Sequence, residues 1–395
     1  MTQNDQAGDS KLTQIYVEPT SLCNLNCRIC VQKTWNEPTG LMGMDIFQNL
    51  MDGLRRQACS PKRVSFWGIG EPLIHPQIVN MVRQAKQLGA ETLVITNGLL
   101  LNQEKAEGFI QAGLDYLILS IDSTSSESKP DTRCGDELRR VIQNINLFRT
   151  INEGDITRPA LICGSSGQYE DRPKQKTKIG ISFVLTKSNL HELSQLRPLA
   201  FSLGASLIML TNLLPYSADV QDEILYSFSA GRSYPIEHSI YYPEISFPRL
   251  DVSPELFNVL PTLLGYTSSY GGSEPPSAKK DGYCRFVEEG SIAVNWQGEV
   301  SPCIPLMHSY TCYILGRKKF FRKCILGNLK TESLQDIWQS AEFARIRDTV
   351  KRFPFAPCTD CGGCTLAETN EEDCLNNSFP VCGDCLWAKG VIQCP

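Results

Sequence analysis

The chain has 395 residues, 42% hydrophobic and 21% charged, which places it among globular proteins of about two domains and excludes disordered and fibrous classes. A net charge of −5 supplies no broad basic field for nucleic acid. With a polar amino-terminal stretch and no apolar run near the ~18 residues of a membrane span, the expectation is a cytoplasmic protein with no nucleic-acid or membrane partner. Seventeen cysteines, eleven of them from Cys284 onward, depart from average composition; in a reducing compartment their close spacing reads as metal or cluster ligation before disulfides.

The run QIYVE (14–18) reads as a first strand, and shortly after it CNLNCRIC puts Cys23, Cys27 and Cys30 in a CxxxCxxC loop. Three thiolates so placed can wrap one cubane cluster and leave one iron without a protein ligand. A zinc ion completed by a distant cysteine, or simply buried thiols, would use the same spacing. Helical periodicity over 45–56 leads to a strand VSFWGIG (64–70), then a helix over 76–88 with Pro76 at its start and Gly89 at its end. TLVITNG (92–98), a helix over 103–112 ending at Gly113, YLILSID (116–122), a helix over 138–150, KIGISFVL (178–185), a helix over 190–203 and SLIMLTN (206–212) continue the alternation. The strands are rich in Val, Ile and Leu without polar alternation, which suits a parallel sheet buried on both faces. Six strand-helix units imply right-handed crossovers and a curved sheet or partial barrel, with ligands gathered at the carboxyl ends of the strands.

A polar insertion over 152–177 interrupts this pattern. Residues 216–282, rich in Tyr, Ser and Pro with a short helix near 254–264, read as a bridging segment or lid. Beyond them Cys284 is followed after thirteen residues by Gly298 and after four more by Cys303; SIAVNWQGEVSPC reads as a hairpin turning at Gln297 and Gly298. The tail adds Cys358, Cys361, Cys364, Cys374, Cys382, Cys385 and Cys394. Two four-iron clusters held wholly by cysteine need eight thiolates and this region offers nine, so one is left over or one site is built differently; a zinc ribbon is the alternative. Cys59, Cys134 and Cys163 are expected to be ordinary thiols, and Cys312 and Cys324 are open. The basic run LGRKKFFRKC (315–324) is either a solvated face or a docking patch, through Lys318, Lys319, Arg322 and Lys323, for an acidic electron donor. Of the four histidines, His75 reads as structural and His308 as a surface-loop residue, with ligand or proton relay as its alternative.

CxxxCxxC after the first strand, GIGEP ending the second, TNG after the third and SID ending the fourth resemble, in this order, the radical S-adenosylmethionine (SAM) enzymes, over roughly residues 12–215. The resemblance implies an α/β fold, a partial (β/α)6 radical SAM barrel with a C-terminal cysteine-rich SPASM-type domain. The divisions are 1–215 for the core, 216–282 for the bridging segment and 283–395 for the auxiliary-cluster domain. It casts Cys23, Cys27 and Cys30 as ligands of a [4Fe-4S] cluster whose fourth iron is chelated by SAM. Gly68, Gly70 and Glu71 inherit the contact with the SAM amino group, Asn97, Ser120 and Asp122 the ribose, and Arg133 and Ser182 the carboxylate. Ile69 between the glycines, and Ile29 where an aromatic residue is common, depart from the family pattern.

The Cys284-Gly298-Cys303 spacing resembles the SPASM extension, which carries one or two auxiliary iron-sulfur clusters. The tail spacing departs from it, so all nine cysteines are metal-ligand candidates with no cluster assigned to any. CGGC, NEEDC and CGDCLWAKGVIQCP look like the SPASM maturases of tungsten-containing aldehyde ferredoxin oxidoreductases. That likeness implies reductive cleavage of SAM to a 5'-deoxyadenosyl radical, hydrogen abstraction from substrate in maturation of a tungsten-pterin cofactor, and a ferredoxin or flavodoxin electron donor. The tungsten oxidoreductase or its cofactor is then a partner. Modification of a ribosomally made peptide is the alternative; the dozen or so residues before the first strand are too few to fold as a separate peptide-binding unit. A non-catalytic iron-sulfur or zinc electron-transfer protein is the reading from another class, and has no use for Glu71 or an open iron.

Overall fold

Each apolar strand is followed by a helix that returns the chain to the start of the next, so the strands line up in chain order. The computed structural model describes residues 11–56, 61–124, 135–154, 176–227, 243–251, 253–264, 282–361 and 364–394. Arg133, Cys59, Cys134, Cys163, most of the polar insertion and much of the 216–282 segment lie outside the described residues. The first half runs β1 (Gln14–Val17), α1 (Met44–Arg56), β2 (Arg63–Phe66), α2 (Ile78–Gln87), β3 (Glu91–Thr96), α3 (Gln103–Ala112), β4 (Tyr116–Ser120), α4 (Gly135–Glu153), β5 (Lys178–Leu185), α5 (Leu193–Leu203) and β6 (Ala205–Asn212). All five pairings from β1–β2 to β5–β6 are parallel.

The helices pack by their apolar stripes. In α1, Ile46, Phe47, Leu50, Met51 and Leu54 are buried, the i, i+4 spacing of one helical face. Burial of each such side chain contributes about 1.5–3 kcal/mol. Asn102 caps α3, its Oδ1 accepting from the Lys105 amide at 2.9 Å, and Gly113 ends it in the left-handed region at φ 78°. The second helix starts later than its periodicity suggests. Pro72–Ile74 first form a 3-10 turn, and Pro76 falls in the connection because the His75 ring is tied down, its Nε2 2.9 Å from the Met42 carbonyl and its Nδ1 accepting from the Gln77 amide.

The second half extends this sheet at both ends. β7 (Glu244–Ser246) adds parallel to β6, followed by α6 (Pro254–Leu264) and α7 (Arg285–Glu288). β8 (Ser291–Val294) lies parallel to β1 on the side away from β2, and β9 (Glu299–Ser301) closes the expected hairpin against β8. β10 (Tyr310–Ile314) and β11 (Arg317–Phe321) form a separate antiparallel pair, β12 (Gly327–Asn328) pairs β9, and α8 (Leu334–Gln339) and α9 (Ala341–Arg352) precede the cysteine-rich tail. The ten-stranded order is β12-β9-β8-β1-β2-β3-β4-β5-β6-β7, so one sheet runs through both halves.

Within the basic run Lys319 faces inward while Lys318 is exposed. Lys319 is buried, and its Nζ donates to the carbonyls of Ala367 at 3.0 Å and Thr369 at 2.8 Å and pairs with Asp384 at 3.2 Å. Arg322 pairs with Glu371 and Lys323 with Glu299. Strand alternation turns one side of β11 into the domain, where Lys319 clamps the tail, while Lys323 just beyond the strand holds β9.

Candidate active site

The carboxyl ends of the barrel strands and the C-terminal domain enclose one cavity of about 360 Å3. Cys23, Cys27 and Cys30 line it together with Gly68, Gly70 and Glu71, as do Asn97, Ser120, Asp122 and Ser182. Every described residue expected at the cluster and the SAM contacts therefore faces a common space.

The cysteine loop is held from below by the GIGEP turn. A Cβ on Gly70 would meet the Thr20 carbonyl oxygen and stand 2.5 Å from that of Leu22, so only glycine lets the turn approach the loop so closely. The Glu71 amide donates to the Leu22 carbonyl at 2.8 Å, and Gln32 Nε2 donates across to the Ile69 carbonyl at 3.3 Å. Within the loop, the Leu25 amide donates to Cys23 Sγ at 3.5 Å and the Gln32 amide to Cys30 Sγ at 3.4 Å. Burial pushes the Cys30 thiol up to about 12, and the neighbouring Cys27 and Cys23 push the same way. Crowded thiolates of this kind are stabilised by a cationic metal centre, so the donor set fits the three-cysteine cluster site.

Glu71 is buried and already well used: Oε1 accepts from the Leu73 amide at 2.9 Å and Thr96 Oγ1 at 2.7 Å, and Oε2 from the Asn97 amide at 2.7 Å. It thus holds the turn against the end of β3 while lining the cavity. Asn97 forms a turn through Oδ1 to the Leu99 amide at 3.0 Å, and its Nδ2 donates to Asn24 in the cysteine loop at 2.8 Å. Its side chain thus ties loop to strand while facing the cavity. Ser120 and Ser182 lie opposite each other on β4 and β5.

The far wall comes from Ile304, Tyr310, Trp387 and Cys394, with Tyr216. Among the described residues, Asn212 Oδ1, Tyr310 Oη and Trp67 Nε1 on this lining are buried without a hydrogen-bond partner. Asn212 is fixed because its Nδ2 donates to the carbonyls of Arg249 and Val391, each at 2.8 Å. Unpartnered buried polar atoms on the lining give a polar ligand groups to bond.

The later cysteines separate into neighbourhoods. Cys303 is raised well above the usual thiol range by burial, with Cys284, Cys385 and Cys382 adding to it, and burial with Cys385 and Cys284 raises Cys382 likewise. These four are a half-buried group of neighbours. Cys358 neighbours Cys374, and Cys361, Cys364 and Cys374 are exposed. Cys394 stands at the cavity, accepting from Trp387 Nε1 at 2.9 Å, while Cys312 and Cys324 sit in the apolar core. Among the described residues, no three His, Cys, Asp or Glu side chains gather to hold a single metal ion.

His308, expected on a surface loop, is instead 3% exposed and lines the cavity. Its Nε2 lies 2.9 Å from Glu18 and its Nδ1 3.0 Å from Glu37. The sequence signal that could have found it is Glu18, a charged residue directly after the apolar strand QIYV and itself fully buried. Asn212, ending β6, went unsingled for the same reason: its partners are remote in sequence.

Residues 17–157 match the model of the Radical SAM superfamily, and residues 284–365 that of SPASM, an iron-sulfur cluster-binding domain. The chain is 29% identical over 384 residues to the tungsten-containing aldehyde ferredoxin oxidoreductase cofactor-modifying protein of Pyrococcus furiosus, covering 96% of each. It is 24% identical to the AdoMet-dependent heme synthase of Methanosarcina barkeri, covering 93% of each. Among solved structures, anSMEcpe with bound AdoMet aligns at a TM-score of 0.55 and 16% identity, covering 96% of this chain and 93% of that one. Streptococcus suis SuiB bound to the precursor peptide SuiA aligns at 0.56 and 17%, covering 95% and 76%. These two likenesses are of fold alone.

Proposed function

We propose, from the premise that this chain is a radical SAM enzyme with a SPASM auxiliary-cluster domain, that it acts in maturation of the cofactor of a tungsten-containing oxidoreductase. The observation that supports the radical chemistry is the convergence on one cavity of the CxxxCxxC loop, the GIGEP turn and the ends of β3, β4 and β5. Similarity across 96% of both chains to the Pyrococcus furiosus protein supports the substrate reading. The likeness to the peptide-bound structure brings no peptide substrate with it.

Cys23, Cys27 and Cys30 would hold the cluster, and Gly68, Gly70 and Glu71 the SAM amino group. Bound there, the reduced cluster would supply one electron to the sulfonium of SAM, the chemistry of cleavage to methionine and a 5'-deoxyadenosyl radical. The protein's part is to orient and to exclude water. Glu71 and Asn97 lock the turn and the loop to β3, and the wall of Tyr216, Tyr310 and Trp387 closes the far side. The half-buried group of Cys284, Cys303, Cys382 and Cys385 would hold one auxiliary cluster, and Cys358, Cys361, Cys364 and Cys374 a second. A ferredoxin- or flavodoxin-type carrier supplies the electron.

Anaerobic reconstitution tests this reading. SAM cleavage to 5'-deoxyadenosine under dithionite is expected, abolished when Cys23, Cys27 and Cys30 are all replaced by Ala. Deuterium transfer from the tungsten cofactor or its precursor into 5'-deoxyadenosine identifies the substrate; none, with turnover on a peptide instead, overturns the cofactor reading.

A further inference from the structure

We infer that His308 is a positioning residue for the SAM site: through Glu18 it braces the Gly68–Glu71 turn, and through Glu37 it ties the loop beyond the three cysteines to its own segment, just beyond Cys303. The inference rests on reading the turn as the holder of the SAM amino group. It starts from a proton count. Both ring nitrogens face carboxyl oxygens, at 2.9 and 3.0 Å; with both carboxyls ionised each only accepts, both nitrogens carry hydrogen and the ring is an imidazolium.

Glu18 reaches the turn directly. Its Oε1 accepts from the Ile69 amide at 3.0 Å, and a Cβ on Gly68 would stand 2.5 Å from its Cγ, so the side chain fills the space beneath the turn. Its Oε2 meets both His308 and the Trp296 amide, the latter at 3.4 Å. Glu37 meets the C-terminal segment twice, through His308 and through the Ser309 amide at 3.0 Å. Trp35 packs edge-on to the imidazole at 4.9 Å between centroids. The charged groups facing the ring are Glu18 from the end of β1, Glu37 from the loop beyond the cysteines, and Lys323 near Glu37 from the segment after β11, itself paired with Glu299 at 2.8 Å. Burial alone would lower the pKa of His308; the bonds to Glu18 and Glu37 overcome it and raise it to about 9. The brace is therefore complete below the unfolded-chain value of about 6.5 and is lost as pH rises through about 9.

The test is SAM binding by the reconstituted full-length protein, read as the change SAM causes in the reduced-cluster EPR signal, from pH 7 to 10. In the wild type, affinity should fall with a midpoint near pH 9. His308→Gln, whose donors sit on one uncharged nitrogen instead of two, should bind SAM about tenfold more weakly at pH 7 and lose that alkaline limb. Glu37→Gln removes one supporting charge and should move the limb down by about one pH unit. Unchanged affinity and limb in His308→Gln would overturn the positioning role while leaving the SAM site standing. Wild-type protein that bound no SAM would overturn both. If His308→Gln does not fold, an unmoved limb in Glu37→Gln overturns the inference and a shifted one upholds it.

Discussion

At Gly70 the missing side chain is what lets the GIGEP turn press against the cysteine loop. Gly70→Ala would set a methyl group against the carbonyls of Thr20 and Leu22, with backbone on the other side that has no flexible end to swing away. The loop must move, and the three thiols with it. The expected outcome is a folded protein with reduced iron at the first cluster and SAM cleavage down at least about tenfold, checked by iron per chain and 5'-deoxyadenosine yield. Full activity in the alanine variant would show that the contact is slack. Gly70 was legible from its motif alone, because the motif is local. His308 was not: its partners Glu37 and Glu18 lie 271 and 290 residues away. No short window of sequence carries such a pairing, and an isolated histidine after a cysteine looks like a loop residue until the fold buries it.

At the scale of the element, β11 shows how a strand's alternation overrides its composition. Five residues, RKKFF, carry three cations, and Phe320 is exposed while Lys319 is buried. Lys319 stands opposite Cys312 on β10 and reaches past it to Asp384, which lies between Cys382 and Cys385 in sequence. Without Lys319, buried Asp384 keeps only the longer contact to Arg317 at 3.6 Å, so the cost falls below the about 3–5 kcal/mol of a buried charge left wholly unpaired. Lys319→Met should therefore lower the thermal midpoint by several degrees and loosen the tail, seen as lost auxiliary-cluster iron with the first cluster retained. Lys318→Ala, at an exposed position, should change stability by less than about 0.5 kcal/mol. Equal effects from the two would mean that the clamp is unimportant. The six barrel strands were legible because each is a continuous apolar run bounded by a helix signal, whereas the partner of a basic strand is written in the tail.

Across the whole molecule, the decisive feature is the pairing of β1 with β8. Gln14–Val17 take β2 on one side and Ser291–Val294 on the other, over four register pairs each, so the first strand of the barrel is an interior strand of the full sheet. Parallel pairing between segments so far apart has no turn chemistry to announce it, and composition drew a boundary near 283 where the sheet continues. The cavity is shared in the same way. Asn212 at the end of β6 donates to the Val391 carbonyl, and the Gln393 amide donates to Thr211 Oγ1 at 2.9 Å, so the last residues of the tail are docked on the barrel and carry Cys394 to the cavity wall. A chain cut after residue 226 would leave β1 with an open, apolar edge, since Ile15 and Val17 are buried by both neighbours, and such an edge recruits other strands. It would also remove the wall formed by Tyr310, Trp387 and Cys394, so any SAM held there would meet water. The expected outcome is an aggregating fragment that, even where solubilised and reconstituted, cleaves SAM slowly and without coupling to substrate. The full chain should unfold in a single calorimetric transition that includes both halves. Two well-separated transitions, or a monomeric fragment with native SAM cleavage, would show that the barrel stands alone and that the shared sheet is a contact of convenience.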